Sequence, residues 1–161
     1  MSISDVLFKP NGRIQAGQFW IGWGILVVAN IVSNFIPILN FLLYFGLIYV
    51  GVCVYGKRLH DMGKSAWLVA IPWGIGLVLG VIGIALSMPA LMILADGDPR
   101  AMEDTAAVYE AMGPFMACVG AGMLVWLGLT IWVGTAASDP NDNKYGPSPT
   151  NPGGGSADIF A

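Results

Sequence analysis

Four long stretches of this chain carry no Asp, Glu, Lys, Arg or His, and they set its plan: Phe19–Ile36, Ile38–Tyr55, Ala66–Ala95 and Pro114–Ala137. An uncharged apolar run of about 18 residues or more reads as a helix able to cross a hydrocarbon core about 30 Å thick. The first two runs are separated by Pro37, which removes a backbone donor and disfavours helix at the residue before it. A single helix from Phe19 to Tyr55 would be about 55 Å long, so the pair is expected to fold as a hairpin. The pattern predicts an all-α membrane protein, a four-span transmembrane helix bundle with spans at about 19–36, 38–55, 66–88 and 114–137. Residues 1–149 are expected to form one domain, and 150–161 a flexible tail containing Gly153-Gly154-Gly155.

Polar residues are confined to the segments between these runs. Residues 1–18 hold an apolar patch, Val6-Leu7-Phe8, and a turn signal, Pro10-Asn11-Gly12, before Trp20 and Trp23 mark the membrane interface. The densest cluster of ionisable residues is Lys57-Arg58-Leu59-His60-Asp61-Met62-Gly63-Lys64-Ser65-Ala66-Trp67, read as a short wet loop between two spans. Asp61 is three and four residues from Arg58 and Lys57, so it can pair with either if the helix continues that far. Gly63 is a helix stop and Ser65 an N-cap for the next helix. In the third run Gly76, Gly80 and Gly83 make a small-residue packing face. In 96–113, Asp98-Pro99 reads as the start of a short outer surface helix, near 99–112, stopped by Gly113-Pro114.

Composition supports the membrane assignment. Charged residues make up only 11% of the 161 residues against about 25% in soluble domains, and the mean hydropathy is +0.70. No basic block suggests nucleic acid. The first apolar run lacks a convincing cleavage site after it, so it is read as a retained span. With four spans, Lys9, Arg13, Lys57, Arg58, Lys64 and Lys144 fall on one side and Arg100 alone on the other, which places both termini in the cytoplasm.

Candidate chemistry is sparse. His60-Asp61 is the one adjacent pair suited to acid–base work near neutral pH, with Ser65 as the nearest nucleophile. Against it stands a structural reading, in which Arg58, His60 and Asp61 tie the loop to the tail and to lipid head groups. Asp139-Pro140-Asn141-Asp142-Asn143 lacks the Gly and Glu of a calcium loop, because Lys144 and Thr150 occupy those places. Cys53 and Cys118 sit in apolar runs and are expected to be free thiols, and no metal or cofactor site is expected. Asn30, Ser33 and Asn34 share a helix face, either lining a polar path or bonding to a neighbouring helix. The uncharged spans count against ion-coupled transport.

Three patches line up with one family. They are Phe8-x-x-x-Gly12-Arg13 leading to Phe19-Trp20, the Lys57–Trp67 stretch, and Asn143-Lys144-Tyr145-Gly146-Pro147. Together they resemble the domain of unknown function 805 family of small bacterial inner-membrane proteins. Where the family has Arg and Gly, this chain has Lys57 and Ala66, and Ala16 and Gln18 replace an Arg and a Glu. The resemblance implies fold and location and no established activity. The candidate functional cluster is Arg13, Arg58, His60, Asp61, Ser65, Trp67, Asn143, Tyr145 and Gly146. The expected role is a structural or interaction module contacting membrane lipids or a partner protein. One alternative is an oligomeric transporter or channel subunit around Asn30, Ser33 and Asn34. The other is a membrane enzyme using His60 and Asp61.

Overall fold

The computed structural model describes residues 2–35, 37–97 and 104–150, with the side chains of 37–40 and 42 left out. All its regular elements are helical: α1 (Ile3–Phe8), α2 (Ala16–Ser33), α3 (Pro37–Asp61), a 3-10 turn (Ala66–Val69), α4 (Ala70–Asp96) and α5 (Thr105–Thr135). The chain divides into two compact units. The first comprises Met1–Val69 and Ile131–Ala161, the second Ala70–Thr130.

The expected four-span bundle is corrected on two points. Among the described residues three helices are long and apolar enough to cross a membrane: Ala16–Ser33, Ala66–Asp96 and Thr105–Thr135. The missing one is the 38–55 span. Beyond it α3 continues as helix through Lys57, Arg58, His60 and Asp61, so the expected wet loop is a helix end. The second correction is the outer surface helix near 99–112. Residues 98–103 lie outside the described part, and 105–112 are the first turns of α5, which runs on through Gly113-Pro114. In lipid a broken helix would expose backbone groups with no water to satisfy them, so a proline is carried inside the helix. Asp98 lies outside the described residues. Asp104 does the capping seen here, with its Oδ1 accepting from the N–H groups of Ala106 and Ala107 at 3.0 and 3.3 Å.

In the second unit, a Cβ on Gly83 would come within 3.0 Å of the Phe115 backbone, whereas Gly76 and Gly80 have nothing within 4 Å. The close approach therefore falls at Gly83. Ser87 Oγ accepts from the Phe115 N–H at 3.1 Å, and Trp73 meets Trp126 edge-on at 5.6 Å.

In the first unit, α3 runs back along α2. Phe19 meets Tyr55 edge-on at 5.1 Å, and a Cβ on Gly22 would lie 3.1 Å from Val54. α1 is too short to stand alone. Ser2 and Asp5 form a capping box at its start, and Lys57 Nζ donates to the carbonyls of Asp5 and Val6 at 2.5 and 2.6 Å at its end. Tyr49 adds a bond to the Phe8 carbonyl at 3.0 Å. Gly63 ends α3 as the sequence suggests. It sits at φ +70°, and the Lys64 N–H closes on the Leu59 carbonyl at 2.8 Å, the bonding of a Schellman stop.

Candidate functional site

Four ionisable residues of the first unit are turned inward. Arg58, Lys57 and Asp61 are 0% exposed and Arg13 is 3% exposed. Burying charges in a chain this poor in them is expensive unless each is paired and hydrogen-bonded. Asp61 meets both conditions. Its Oδ1 accepts from Arg13 Nε at 3.2 Å and its Oδ2 from Arg58 Nη1. Asp61 therefore pairs with Arg58, while Lys57, its other helical neighbour, points to α1.

Every N–H of the Arg13 guanidinium has an acceptor. Besides Asp61 Oδ1, these are the carbonyls of Asn141 (2.7 Å), Gly146 (3.3 Å), Asp61 (3.3 Å) and Asp139 (2.5 Å). Arg58 reaches the Val133 carbonyl at 3.0 Å, Ser138 Oγ at 3.0 Å and the Ala136 carbonyl. These carbonyls belong to the last turn of α5 and the tail after it, where a helix end leaves acceptors unfilled. The two arginines thus clamp three pieces of chain: the segment before α2, the end of α3, and the tail.

The tail is shaped to be held. The Asn141 N–H donates to Asp139 Oδ1 at 3.0 Å, an Asx turn. The backbones of Asn143 and Gly146 pair across a tight turn, with Gly146 at φ +134°. Asn143 Nδ2 donates to the His60 carbonyl at 3.1 Å, and the Asp139 N–H to the Asp61 carbonyl at 2.8 Å. Hydrogen bonds from the Asn141 backbone and then the Asn143 side chain hold the Asp139 carboxyl below its usual range. Gln15 Nε2 donates to the Pro149 carbonyl at 2.6 Å.

His60 is not Asp61's partner. Its ring stacks face to face on Tyr145 at 3.8 Å, and its Nδ1 lies 3.3 Å from the Gly12 carbonyl, which assigns the proton to Nδ1. Lys144 caps the other ring, 5.0 Å from the Tyr145 centroid. Burial is the main cause holding the His60 imidazole below its ordinary value. The Gly12 carbonyl opposes this and the Lys144 charge adds to it. A histidine with a lower pKa folded than unfolded binds fewer protons when folded. Its neutral form gives full stability above the unfolded value of about 6.5, and stability falls as pH drops from there through the folded value. Wild type is therefore expected to lose more melting temperature between about pH 7.5 and 5 than His60→Gln. Parallel thermal melts in detergent check this, and equal losses would remove His60 as the cause.

The structure brings Arg13, Arg58, His60, Asp61, Asn143, Tyr145 and Gly146 into one cluster. Ser65 and Trp67 stand apart from it. Ser65 Oγ caps the 3-10 turn through the Trp67 N–H at 3.3 Å, and Trp67 is 83% exposed. Ser33 Oγ and Asn34 Nδ2 both turn back to the Asn30 carbonyl. Ser138 and Asp139 join the cluster without having been among its candidates, while Lys57, one turn from Asp61, bonds to the α1 carbonyls instead. The signal for Asp139 was its place in an Asp-Pro-Asn turn just after a span. Cys53 and Cys118 are free, and the described residues hold no His/Cys/Asp/Glu group able to hold a metal.

The model of the family described as a protein of unknown function (DUF805) matches residues 7–147. No curated protein and no solved structure matches the chain.

Proposed function

The chain belongs to the DUF805 family, as a multi-pass protein of the bacterial inner membrane, and from that premise we propose that it is an interaction module whose basic face contacts anionic lipid head groups on the cytoplasmic side. The observation that carries this reading is the division of labour among its cations. Arg13, Lys57 and Arg58 are consumed internally, while Lys64 and Lys144 remain exposed and Trp67 stands out beside Lys64. A solvent-facing lysine and tryptophan just before a membrane-crossing helix are suited to the head-group layer. The cytoplasmic side is favoured because Lys9, Arg13, Lys57, Arg58, Lys64 and Lys144 all belong to the first unit. The clamp supports placing the start of the chain and the tail on that same side, since Arg13 bonds to both Asp61 and Asn141.

The catalytic alternative finds no support in the geometry. Both carboxylate oxygens of Asp61 are committed to arginines, and His60 faces Gly12 and Tyr145.

The reading is tested in nanodiscs of zwitterionic lipid with and without phosphatidylglycerol. Each exposed lysine near an anionic surface contributes about 1 kcal/mol, or about 2–4 °C of melting temperature for a chain of this size. The anionic lipid is expected to raise melting by that order, and Lys64→Gln with Lys144→Gln to abolish the rise. A melting temperature indifferent to lipid charge would overturn the reading.

A further inference from the structure

Residues 139–148 form a strap bonded to the end of α3, and the chain's single histidine sits where they meet. His60 touches three pieces of chain at once. Its carbonyl accepts from Asn143 Nδ2 at 3.1 Å, its Nδ1 reaches the Gly12 carbonyl at 3.3 Å, and its ring lies on Tyr145 at 3.8 Å with 8° between the planes. We propose that His60 makes the strap a pH-operated latch: the neutral imidazole holds Asn143–Gly146 against α3, and a proton gained as pH falls below about 6.5 lets the strap lift.

The surroundings of the ring suit its neutral form. Lys144 Nζ lies 5.0 Å from the Tyr145 centroid, so an imidazolium in the stack would share that ring with a second cation. The charged groups packed around it come from three elements. Arg13 follows Gly12, Arg58 and Asp61 flank the ring on α3, and Asp139, Asp142 and Lys144 belong to the strap. All three carboxylates already have donors: Asp61 the two arginines, Asp139 the Asn141 N–H and the Asn143 side chain, and Asp142 the Ser148 N–H. Burial is the largest influence and opposes the protonated ring; the Gly12 carbonyl favours it and the Lys144 charge opposes it. In the lifted state the imidazole is hydrated and regains its ordinary value, so protons favour lifting. Lifting also acts on Arg13. Three of its acceptors, the carbonyls of Asp139, Asn141 and Gly146, are strap atoms, and their departure turns guanidinium N–H groups to solvent while Asp61 stays paired.

Hydrogen exchange of the full chain tests the latch, read as protection factors so that the intrinsic pH dependence cancels. Micelles of uncharged detergent keep lipid charge out of the result. The range from about pH 7.5 to 5.5 lies above that of ordinary carboxylates. The Asp139, Asn143, Gly146 and Ser148 amides are hydrogen-bonded in the closed strap. Their protection is expected to fall several-fold on acidification, with residues 19–30 of α2 unchanged. His60→Gln, which takes up no proton, is expected to keep the strap's protection level, and Lys144→Gln to lessen the fall. The single histidine also gives one imidazole NMR signal in the wild type, expected to titrate below about 6.5 in step with the lost protection. A fall of equal size in His60→Gln, or one spread equally over α2, would overturn the inference. A titration midpoint at or above about 6.5 would overturn it without recourse to any variant.

Discussion

Asp61→Ala is expected to destabilise the protein in detergent by about 3–5 kcal/mol, because it leaves two guanidinium groups buried without their carboxylate. Asp61 is 0% exposed, and its two oxygens are divided between Arg13 Nε and Arg58 Nη1. Arg13 keeps its carbonyl acceptors after the substitution, but carbonyls do not neutralise a charge. Arg58→Ala removes the partner from the other end and strips the Val133 and Ala136 carbonyls of their donor. The double variant Arg58→Ala/Asp61→Ala removes opposite charges together, so it is expected to lose at least about 1 kcal/mol less than the sum of the singles. Chemical unfolding of the four proteins measures the cycle. Strict additivity, or melting unchanged by Asp61→Ala, would mean that the clamp does not hold the unit together. The same result would return Asp61 to the list of groups free for chemistry.

Much of this clamp was legible in the sequence, and the reason is physical. A chain with 11% charged residues has few places to put them, so patches holding Arg13, Arg58-x-His60-Asp61 and Asn143-x-Tyr145-Gly146 had few partners except one another. Gly63 and Ser65 were readable because a helix stop and a cap are local, set by one residue's φ and one hydroxyl. What was not legible depended on direction. Counting uncharged residues treats the charged stretch after Tyr55 as a loop in water. The helix instead carries Lys57, Arg58 and Asp61 into the protein, because carbonyls of α1 and of the tail are waiting there. The same count gave four spans where three described helices are long and apolar enough to cross, since it takes no account of a helix running on into charge, as α3 does. Gly113-Pro114 misled for a related reason: in water the pair stops a helix, and in lipid stopping is the costlier choice.

Gly134 shows packing overriding local preference, and the sign of a substitution there reveals which dominates. It lies in the last turn of α5, where Gly→Ala alone would stabilise a helix by about 0.5–1 kcal/mol. A Cβ at Gly134 would collide with the Trp20 indole and come within 3.1 Å of Phe19. The indole cannot swing away freely. It is held edge-on by Phe19 at 5.4 Å and Trp23 at 5.6 Å, and its Nε1 donates to the Gly134 carbonyl at 3.2 Å. Overpacking of this kind costs about 1–3 kcal/mol, and displacing the indole forfeits a hydrogen bond worth about 0.5–1.5 kcal/mol. Gly134→Ala is therefore expected to destabilise by about 2 kcal/mol net, the packing cost exceeding the helix gain. In a Trp20→Ala background the collision is gone, and the same substitution is expected to be neutral or stabilising by up to about 1 kcal/mol. Denaturant melts of the wild type, both singles and the double decide it. A destabilisation of equal size in both backgrounds would show that the Trp20 ring is not what requires glycine at this position.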